Sequence, residues 1–104
     1  MPYEIWLSEE AVEERKRLSK EQEKKLFWWR DRLRKDATVG DPIKKSLIPK
    51  ALKQRYEITN LWRLELPGGW RVLYTIASPP GGKPEVLVLR ILSHKEYEKL
   101  FGYS

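Results

Sequence analysis

Residues 60–74, with the sequence NLWRLELPGGWRVLY, contain the clearest structural pattern in the chain. Apolar and charged residues alternate from Trp62 to Leu66, which is the period-two pattern of a strand with one buried face. The turn formers Pro67 to Gly69 interrupt this alternation, and it resumes at Trp70. The stretch therefore predicts a β-hairpin whose connection is slightly longer than a two-residue turn.

The same hairpin carries the best candidate chemical residues. Arg63 and Glu65 occupy the charged positions of the first arm, and Arg71 is the second residue of the other arm. Side chains alternate between the two faces of a strand, so a suitable register brings these three residues to one face. The core does not need that face, and we expect it to be solvated.

Composition limits the class of protein. A chain of 104 residues predicts one domain, residues 1–104, with a single core to which five Trp, five Tyr and two Phe contribute. The chain has no Cys, and its single His has no acidic cluster around it, so we expect no metal and no cofactor. The N-terminus lacks the pattern of a signal peptide and no segment approaches bilayer length, which predicts a soluble, cytoplasmic protein without a membrane partner.

The positive charge is concentrated in the middle of the chain. The formal net charge is +6, and residues 24–55 alone hold eleven basic and three acidic side chains. Such a concentration favours a polyanionic partner, for which nucleic acid is the natural candidate, although ordinary solvated faces also carry such charge. We expect apolar residues of the segment Ile43–Arg55 to anchor it and its cations to contact RNA phosphates. These cations are Lys44, Lys45, Lys50, Lys53 and Arg55.

The N-terminal part predicts a strand followed by a helical hairpin. Weak alternation marks a strand at Tyr3–Leu7, and Ser8 is expected to cap a first helix that ends near Ser19. Ser19 and Gln22 form a capping box for a second helix that runs to about residue 35. Apolar residues at helical spacing should cover the sheet. They are Leu26, Trp29 and Leu33, widened by Phe27 and Trp28.

Two later segments have distinct patterns. Gly40 to Pro42 predicts the start of a short helix, because a stop is followed by a cap residue and a first-turn proline. Val86–Leu92 is almost continuously apolar, which predicts a central strand buried on both faces. Arg90 interrupts this run and is expected either at the exposed end of the strand or in an ion pair below the surface.

The order of elements predicts the fold class. Ser93 is expected to cap a short final helix, Lys95–Phe101. The chain then contains a strand, two helices, three strands and a helix. This order predicts an α+β fold in which an N-terminal helical hairpin packs on a mainly antiparallel sheet, with a short C-terminal helix.

Two motifs give the chain a resemblance to a known family. GWRVLY, residues 69–74, lies within LWRLELPGGWRVLYTI, and SHKEY, residues 93–97, lies within LVLRILSHKEYEKLFGY. Together they resemble the core of the RelE/ParE superfamily of toxins from type II toxin-antitoxin systems, most closely its RelE-like, RNA-cleaving branch. The resemblance implies a RelE-like fold, metal-independent cleavage of mRNA on the ribosome, and inhibition by a small antitoxin protein.

The resemblance also assigns roles to residues of the hairpin. Arg71 is the arginine of GWRVLY, which in RelE-like toxins contacts the reacting phosphate. Arg63 falls where these toxins often carry a basic strand residue. Glu65 replaces a position that is frequently basic, so it is either a general base or an ion-pair partner. Arg71 has an alternative too, because it can simply pair with Glu65 across the hairpin.

Cleavage of RNA by its own 2′-hydroxyl requires a base, an acid and cations near the phosphate. The arginines supply the cations. The resemblance places further basic and tyrosyl groups in the C-terminal segment. Candidates for the base and the acid are Glu65, His94, Lys95, Tyr97 and Tyr103.

Two other functions compete with RNA cleavage. A ParE-like or degenerate member of the superfamily would bind a protein target such as gyrase without cutting RNA. A basic RNA-binding module would contact RNA without catalysis. The combination of Arg71 with His94 and Lys95 favours the nuclease.

Overall fold

The computed structural model describes residues 3–102. Within this range, three 3-10 turns at Ala37–Val39, Lys45–Leu47 and Pro67–Gly69 connect larger elements. The strands are β1 (Glu4–Leu7), β2 (Asp41–Pro42), β3 (Trp62–Leu66), β4 (Trp70–Ala77) and β5 (Glu85–Leu92). The helices are α1 (Glu9–Arg15), α2 (Lys20–Lys35), α3 (Lys50–Tyr56) and α4 (His94–Phe101). No helix of residues 3–102 has both the length and the apolar character that a membrane span requires.

The strands form one sheet in the order β1-β5-β4-β3-β2. The pairing of β1 with β5 is parallel, and the pairings β2 with β3, β3 with β4, and β4 with β5 are antiparallel. The predicted α+β class, the mainly antiparallel sheet and the central position of β5 are therefore confirmed. The predicted hairpin is β3 and β4.

Side-chain caps define the helical hairpin. The Ser8 hydroxyl accepts a hydrogen bond from the backbone N–H of Ala11, and Ser19 with Gln22 forms the predicted capping box. Helix α2 has the predicted bounds. Helix α1 ends at Arg15 rather than near Ser19, because the N–H groups of residues 16–18 donate to carbonyls three residues back and tighten the last turn.

The helical hairpin covers one face of the sheet. This first core joins Ala11 of α1 and Leu33 of α2 to strand residues, and Leu26 and Trp29 pack against it. The predicted apolar face of α2 is thus confirmed for Leu26, Trp29 and Leu33, but its predicted widening is wrong for Trp28, which is exposed. The strand members of the first core are Leu64, Leu66, Val72, Tyr74, Val86, Val88 and Ile91.

The opposite face of the sheet is also covered. A second core lies between this face and the helices α3 and α4, so the expectation that the arginine face of the hairpin is solvated is wrong. The physical reason is Leu73, which points to the same face as Arg63 and Arg71 and is fully buried. The second core contains Ile48, Leu52, Leu61, Leu73, Leu89, Leu92 and Tyr97.

A bulge in β5 explains Arg90. Leu73 pairs with Arg90 whereas Tyr74 pairs with Val88, which leaves Leu89 as an extra residue. The bulge changes which face of the sheet the following side chains point to. The Arg90 guanidinium forms an ion pair with the Glu14 carboxylate of α1, with Nη2 2.7 Å from Oε2. Of the two places expected for Arg90, the ion pair below the surface is the one observed.

The segment after α2 differs from the prediction. Asp41 and Pro42 begin no helix but pair with Arg63 and Trp62 as a two-residue edge strand. Long-range pairing outweighs the local helix-start signal here, and Gly40 makes it possible. A Cβ added at Gly40 would lie 2.7 Å from Tyr74 Oη and 2.9 Å from the Arg63 carbonyl oxygen.

Tyr74 fastens this edge to the core. Its hydroxyl donates to the Ala37 carbonyl at 2.6 Å and accepts from the Gly40 N–H at 3.1 Å. Burial raises the pKa of Tyr74 to about 12, so the hydroxyl keeps its proton at neutral pH.

Replacing Tyr74 with Phe tests the contribution of these two hydrogen bonds to stability. Tyr74→Phe leaves the Ala37 carbonyl and the Gly40 N–H without their partner, and we expect the free energy of unfolding to fall by about 1–3 kcal/mol. Chemical denaturation measures the change. The control is Tyr3→Phe, since the Tyr3 hydroxyl makes no hydrogen bond within residues 3–102; equal stability of the two variants would contradict the role given to Tyr74.

Candidate functional site

The register of the hairpin brings the three candidate residues together. Glu65 lies directly opposite Arg71, and Arg63 lies opposite Leu73, two residues along the same face. The predicted common face of Arg63, Glu65 and Arg71 is therefore confirmed. The covering helix α4 packs against β4 and β5 next to this face.

Arg71 is held firmly beneath the surface. Its side chain is only 16% exposed, and its Nη2 lies 3.6 Å from Glu65 Oε1. Its Nη1 donates to the Gly69 carbonyl at 2.6 Å. The cross-hairpin pair with Glu65 is thus present, but 3.6 Å is longer than a hydrogen bond, and the backbone of the turn is the closer partner.

Arg63 is the second cation of the face. Its Nη1 donates to the Tyr97 hydroxyl at 3.2 Å, and its Nη2 lies 3.4 Å from Asp41 Oδ2. The hydrogen bond to Tyr97 is the main cause that raises the pKa of Arg63, and burial opposes it. The guanidinium carbons of Arg63 and Arg71 lie 5.9 and 5.5 Å from the centroid of the Tyr97 ring. Two guanidiniums therefore converge on one tyrosine.

Both arginines have an incomplete set of partners. The Nε atoms of Arg63 and Arg71 are buried, and no acceptor in residues 3–102 takes a hydrogen bond from them. A buried donor without a partner costs about 1–3 kcal/mol. Such costs concentrate at functional sites, where position matters more than stability.

Helix α4 brings two of the C-terminal candidates to this face. Tyr97 is buried between α4 and this face of the sheet. His94 lies beside the hairpin turn, since a Cβ added at Gly69 would be 3.3 Å from His94 Cβ. Its Nε2 is 2.9 Å from Glu98 Oε1 of the same helix. Arg71 and His94 therefore border the same residue, Gly69.

The remaining C-terminal candidates are not brought into the cluster. Lys95 is exposed and makes no hydrogen bond or ion pair with residues 3–102. Tyr103 lies outside the described residues. The helix itself begins at His94, one residue before the prediction, and Ser93 caps it as expected.

A brace from the turn that follows α1 positions the start of α4. Arg17 binds the Glu96 carboxylate through both terminal nitrogens, at 3.1 and 2.9 Å, and its guanidinium carbon lies 5.0 Å from the Trp70 ring centroid. Glu96 also accepts from the Ser93 N–H at 2.9 Å, which completes a capping box. The brace thus orients the turn that carries His94 and Tyr97.

The basic segment lies on the α3 side of the molecule. Ile48 and Leu52 are buried, which confirms that apolar residues anchor it. Arg55 differs from the lysines, because its guanidinium pairs with Glu10 at 3.0 Å, and the hydrogen bond that it donates to the Glu10 carboxylate raises the pKa of Arg55. The lysines have no carboxylate within 4 Å in the described part of the chain. They are Lys44, Lys45, Lys50 and Lys53, all exposed.

Sequence analysis missed three residues of the site. Asp41 was expected to cap a helix, and its place beside Arg63 depends on long-range strand pairing that no local pattern reveals. The role of Glu96 had a visible signal, because a glutamate three residues after Ser93 completes a capping box. The contact of Arg17 with Glu96 joins residues 79 positions apart and has no local signal.

No three His, Asp or Glu side chains of residues 3–102 converge in a way that can hold a metal ion. Comparison of the chain with models of known protein families returns no match, and a search of curated proteins finds no significant match either.

The brace has a testable pH dependence. Arg17 lowers the pKa of Glu96 from 4.5 to about 2, so the folded state gains stability above the ordinary pKa and loses it as pH falls from 4.5 towards 2. The carboxylate is 41% exposed, so screening keeps the gain below about 1 kcal/mol. Glu96→Gln should flatten the stability profile in this acidic range.

Denaturation at a series of pH values measures the effect. Glu13→Gln is the matched control, because Glu13 is a more exposed carboxylate that pairs with Lys16 at the C-terminal end of α1. If the two variants change the acidic part of the profile equally, the brace does not stabilise α4 in the way described.

Proposed function

We propose that this protein is a RelE-like toxin of a type II toxin-antitoxin system that cuts mRNA on the ribosome without a metal. The observation that carries the proposal is the convergence of Arg63 and Arg71 on Tyr97, with His94 at the adjoining turn. These residues come from the two motifs that carry the resemblance. A small antitoxin protein, a ribosomal RNA surface and a cytoplasmic location belong to the same proposal.

The chemistry needs little beyond these groups. The RNA 2′-oxygen attacks phosphorus, the bond from phosphorus to the 5′-oxygen breaks, and a cyclic phosphate and a free 5′-hydroxyl result. The base takes the proton of the 2′-hydroxyl, and the acid gives a proton to the departing 5′-oxygen. Arg71 and Arg63 supply positive charge to the phosphorane, where guanidiniums suit two oxygens at once.

Two acid and base assignments have support from geometry. The Tyr97 oxygen accepts from Arg63 and so keeps its own hydrogen for donation, which suits the acid. Glu65 is exposed beside Arg71, and His94 is exposed at the turn, so either can reach the 2′-hydroxyl of a bound RNA. Lys95 remains a candidate that no contact favours.

One observation favours the alternative without cleavage. Asp41 lies against Arg63 and Glu65 against Arg71, so each cation already has a carboxylate neighbour. A ParE-like or degenerate member that binds a protein target such as gyrase would tolerate carboxylates that neutralise the charges of Arg63 and Arg71. A nuclease requires the phosphate to displace at least Glu65, whose exposure and long contact make it easy to move.

Expression in bacteria tests the proposal first. Synthesis of the protein without an antitoxin should arrest growth and lower translation within minutes, because intact mRNA is lost. Incorporation of labelled amino acids into protein measures this. Normal growth on soluble, folded protein would refute the toxin, and arrest that spares translation but blocks DNA synthesis would favour the gyrase alternative.

Arg71→Gln tests the catalytic assignment. Removal of charge that acts in the transition state should slow single-turnover cleavage of ribosome-bound mRNA by roughly 100- to 1,000-fold with little change in ribosome affinity. Because Arg71 is largely buried, its loss also costs stability, and turnover must be expressed per folded molecule.

Arg90→Gln is the matched control. Arg90 is likewise a half-buried arginine of the sheet in contact with a carboxylate, but it lies against α1, away from Tyr97. The control should lose stability and keep its cleavage rate. If both variants cleave at the parent rate per folded molecule, Arg71 only braces the hairpin and the nuclease assignment to this site is wrong.

A further inference from the structure

The cations of α2 are a second concentration of charge, separate from the α3 segment. Residues 24–35 hold six basic side chains and one acidic side chain. The acid, Asp31, lies 3.5 Å from Arg30 and compensates that residue. The charge that remains lies on a helix that the candidate cluster does not use.

Trp28 organises two of these cations. Its indole is 39% exposed, and the Lys25 Nζ and Arg32 Cζ atoms lie 3.6 and 3.3 Å from its ring centroids. Lys25, three residues before Trp28, and Arg32, four residues after it, occupy neighbouring positions on one helical face. We call Lys25, Trp28 and Arg32 the α2 platform.

The platform cations lack any acidic partner. No carboxylate of residues 3–102 lies within 4 Å of Lys25 or Arg32, although most other arginines of the described chain pair with one. The indole holds both cations through cation–π contacts, so they lose little freedom when an anion binds. The platform is therefore a pair of preorganised and uncompensated cations.

Trp29 links the platform to the strand that carries Arg63 and Glu65, although α2 covers the opposite face of the sheet from the candidate cluster. Trp29 packs edge-on against Trp28, with ring centroids 4.8 Å apart, and its Nε1 donates to the Glu65 carbonyl at 2.9 Å. A cleft of about 110 Å³ between α2 and the sheet edge is lined in part by Trp29, Asp41 and Arg63. Glu65 also lines this cleft, so a chain that leaves Arg63 across this edge passes the carboxylates of Asp41 and Glu65 before it reaches the α2 side.

We propose that the α2 platform is a nucleotide subsite, where a segment of RNA remote from the cleaved bond is held by its phosphates and by stacking. A guanidinium that lies flat on an indole offers its other face to a base and its edge to phosphate oxygens. This inference rests on the proposed function, because it takes RNA as the ligand, but it assigns residues that the cleavage chemistry does not require.

RNA fits the platform better than an acidic protein does. The carboxylates of an acidic helix or strand bind cations but supply no flat ring of their own to stack on Arg32 or on the exposed indole. Single-stranded RNA offers both a regular row of phosphates and bases that stack without regard to sequence. The combination of two cations with one aromatic ring is the feature that favours RNA.

Binding of a short RNA tests the subsite. The probe is a single strand of about 12 nucleotides with 2′-O-methyl groups, which prevent attack by the 2′-oxygen, and its affinity is measured by fluorescence anisotropy between about 50 and 200 mM salt. Arg32→Gln should weaken binding about fivefold and lower the salt slope by about 0.7. Trp28→Ala should weaken binding by a similar factor. The comparison requires that the variant keep the thermal midpoint of the parent protein.

Two controls separate the platform from charge in general. Arg30→Gln removes the same charge from the same helix, but position 30 lies about 200° around the helix from position 32, so affinity should change less than twofold. Arg32→Lys keeps the charge and loses the planar stack, and it should restore the salt slope but not the full affinity. Equal losses in Arg32→Gln and Arg30→Gln would overturn the platform.

The exposed tryptophans provide a readout that does not depend on a variant's stability. RNA should shift the indole N–H resonance of Trp28, identified with Trp28→Phe, and leave that of Trp6 unchanged, because Trp6 is exposed on β1 with no cation over its ring in residues 3–102. An unshifted Trp28 resonance, or no detectable binding of the RNA by the parent protein, also refutes the subsite.

The experiment distinguishes this inference from the proposed function. If Arg32→Gln binds the RNA as the parent does while Arg71→Gln loses cleavage, the platform is wrong and the nuclease stands. If Arg32→Gln weakens RNA binding while no protein cleaves ribosome-bound mRNA, the platform stands and the nuclease is wrong. If Arg32→Gln weakens binding of polyglutamate but not of RNA, the surface takes an acidic protein and the inference fails.

Discussion

The register of the β3–β4 hairpin is the constraint on which the rest of the structure depends. A shift of β3 by one residue would exchange its faces and place Arg63 and Glu65 in the first core, where charge cannot be accommodated. The turn Pro67–Gly69 sets that register, and Gly68 and Gly69 adopt positive φ angles of 77° and 78° to form it. The candidate cluster therefore exists because the turn aligns Glu65 with Arg71.

The second layer of helices converts this polar face into a confined site. Leu73 and the bulged strand β5 leave apolar surface beside the arginines, and α4 covers it with Tyr97. Burial of the arginines then follows from the burial of their neighbours. The same helix is held by Arg17 and Glu96, so the geometry around Tyr97 depends on a surface ion pair as well as on core packing.

The positive charge lies on several surfaces, which differ in whether their cations have a carboxylate neighbour. The cluster arginines have carboxylate neighbours and Arg55 pairs with Glu10, whereas within residues 3–102 the lysines of the α3 segment and the cations of the α2 platform have no carboxylate partner. Uncompensated cations favour phosphate contacts that fix position, whereas the cluster supplies cations that act on one phosphate. In the proposed nuclease, the two kinds of surface would separate RNA binding from RNA cleavage.

Local patterns determined those parts of the structure whose causes lie within a few residues. Alternation defined β3 and β4, the Ser19–Gln22 capping box defined the start of α2, and the apolar run of β5 defined a central strand. Periodicity also placed Arg63, Glu65 and Arg71 on a common face.

Contacts between distant residues were decided only by the tertiary structure. The edge strand at Asp41, the bulge that sends Arg90 to Glu14, and the brace between Arg17 and Glu96 each join positions that are far apart in the chain. Local propensity carries no information on such pairings, because their free energy arises only when the whole sheet and both helical layers have assembled.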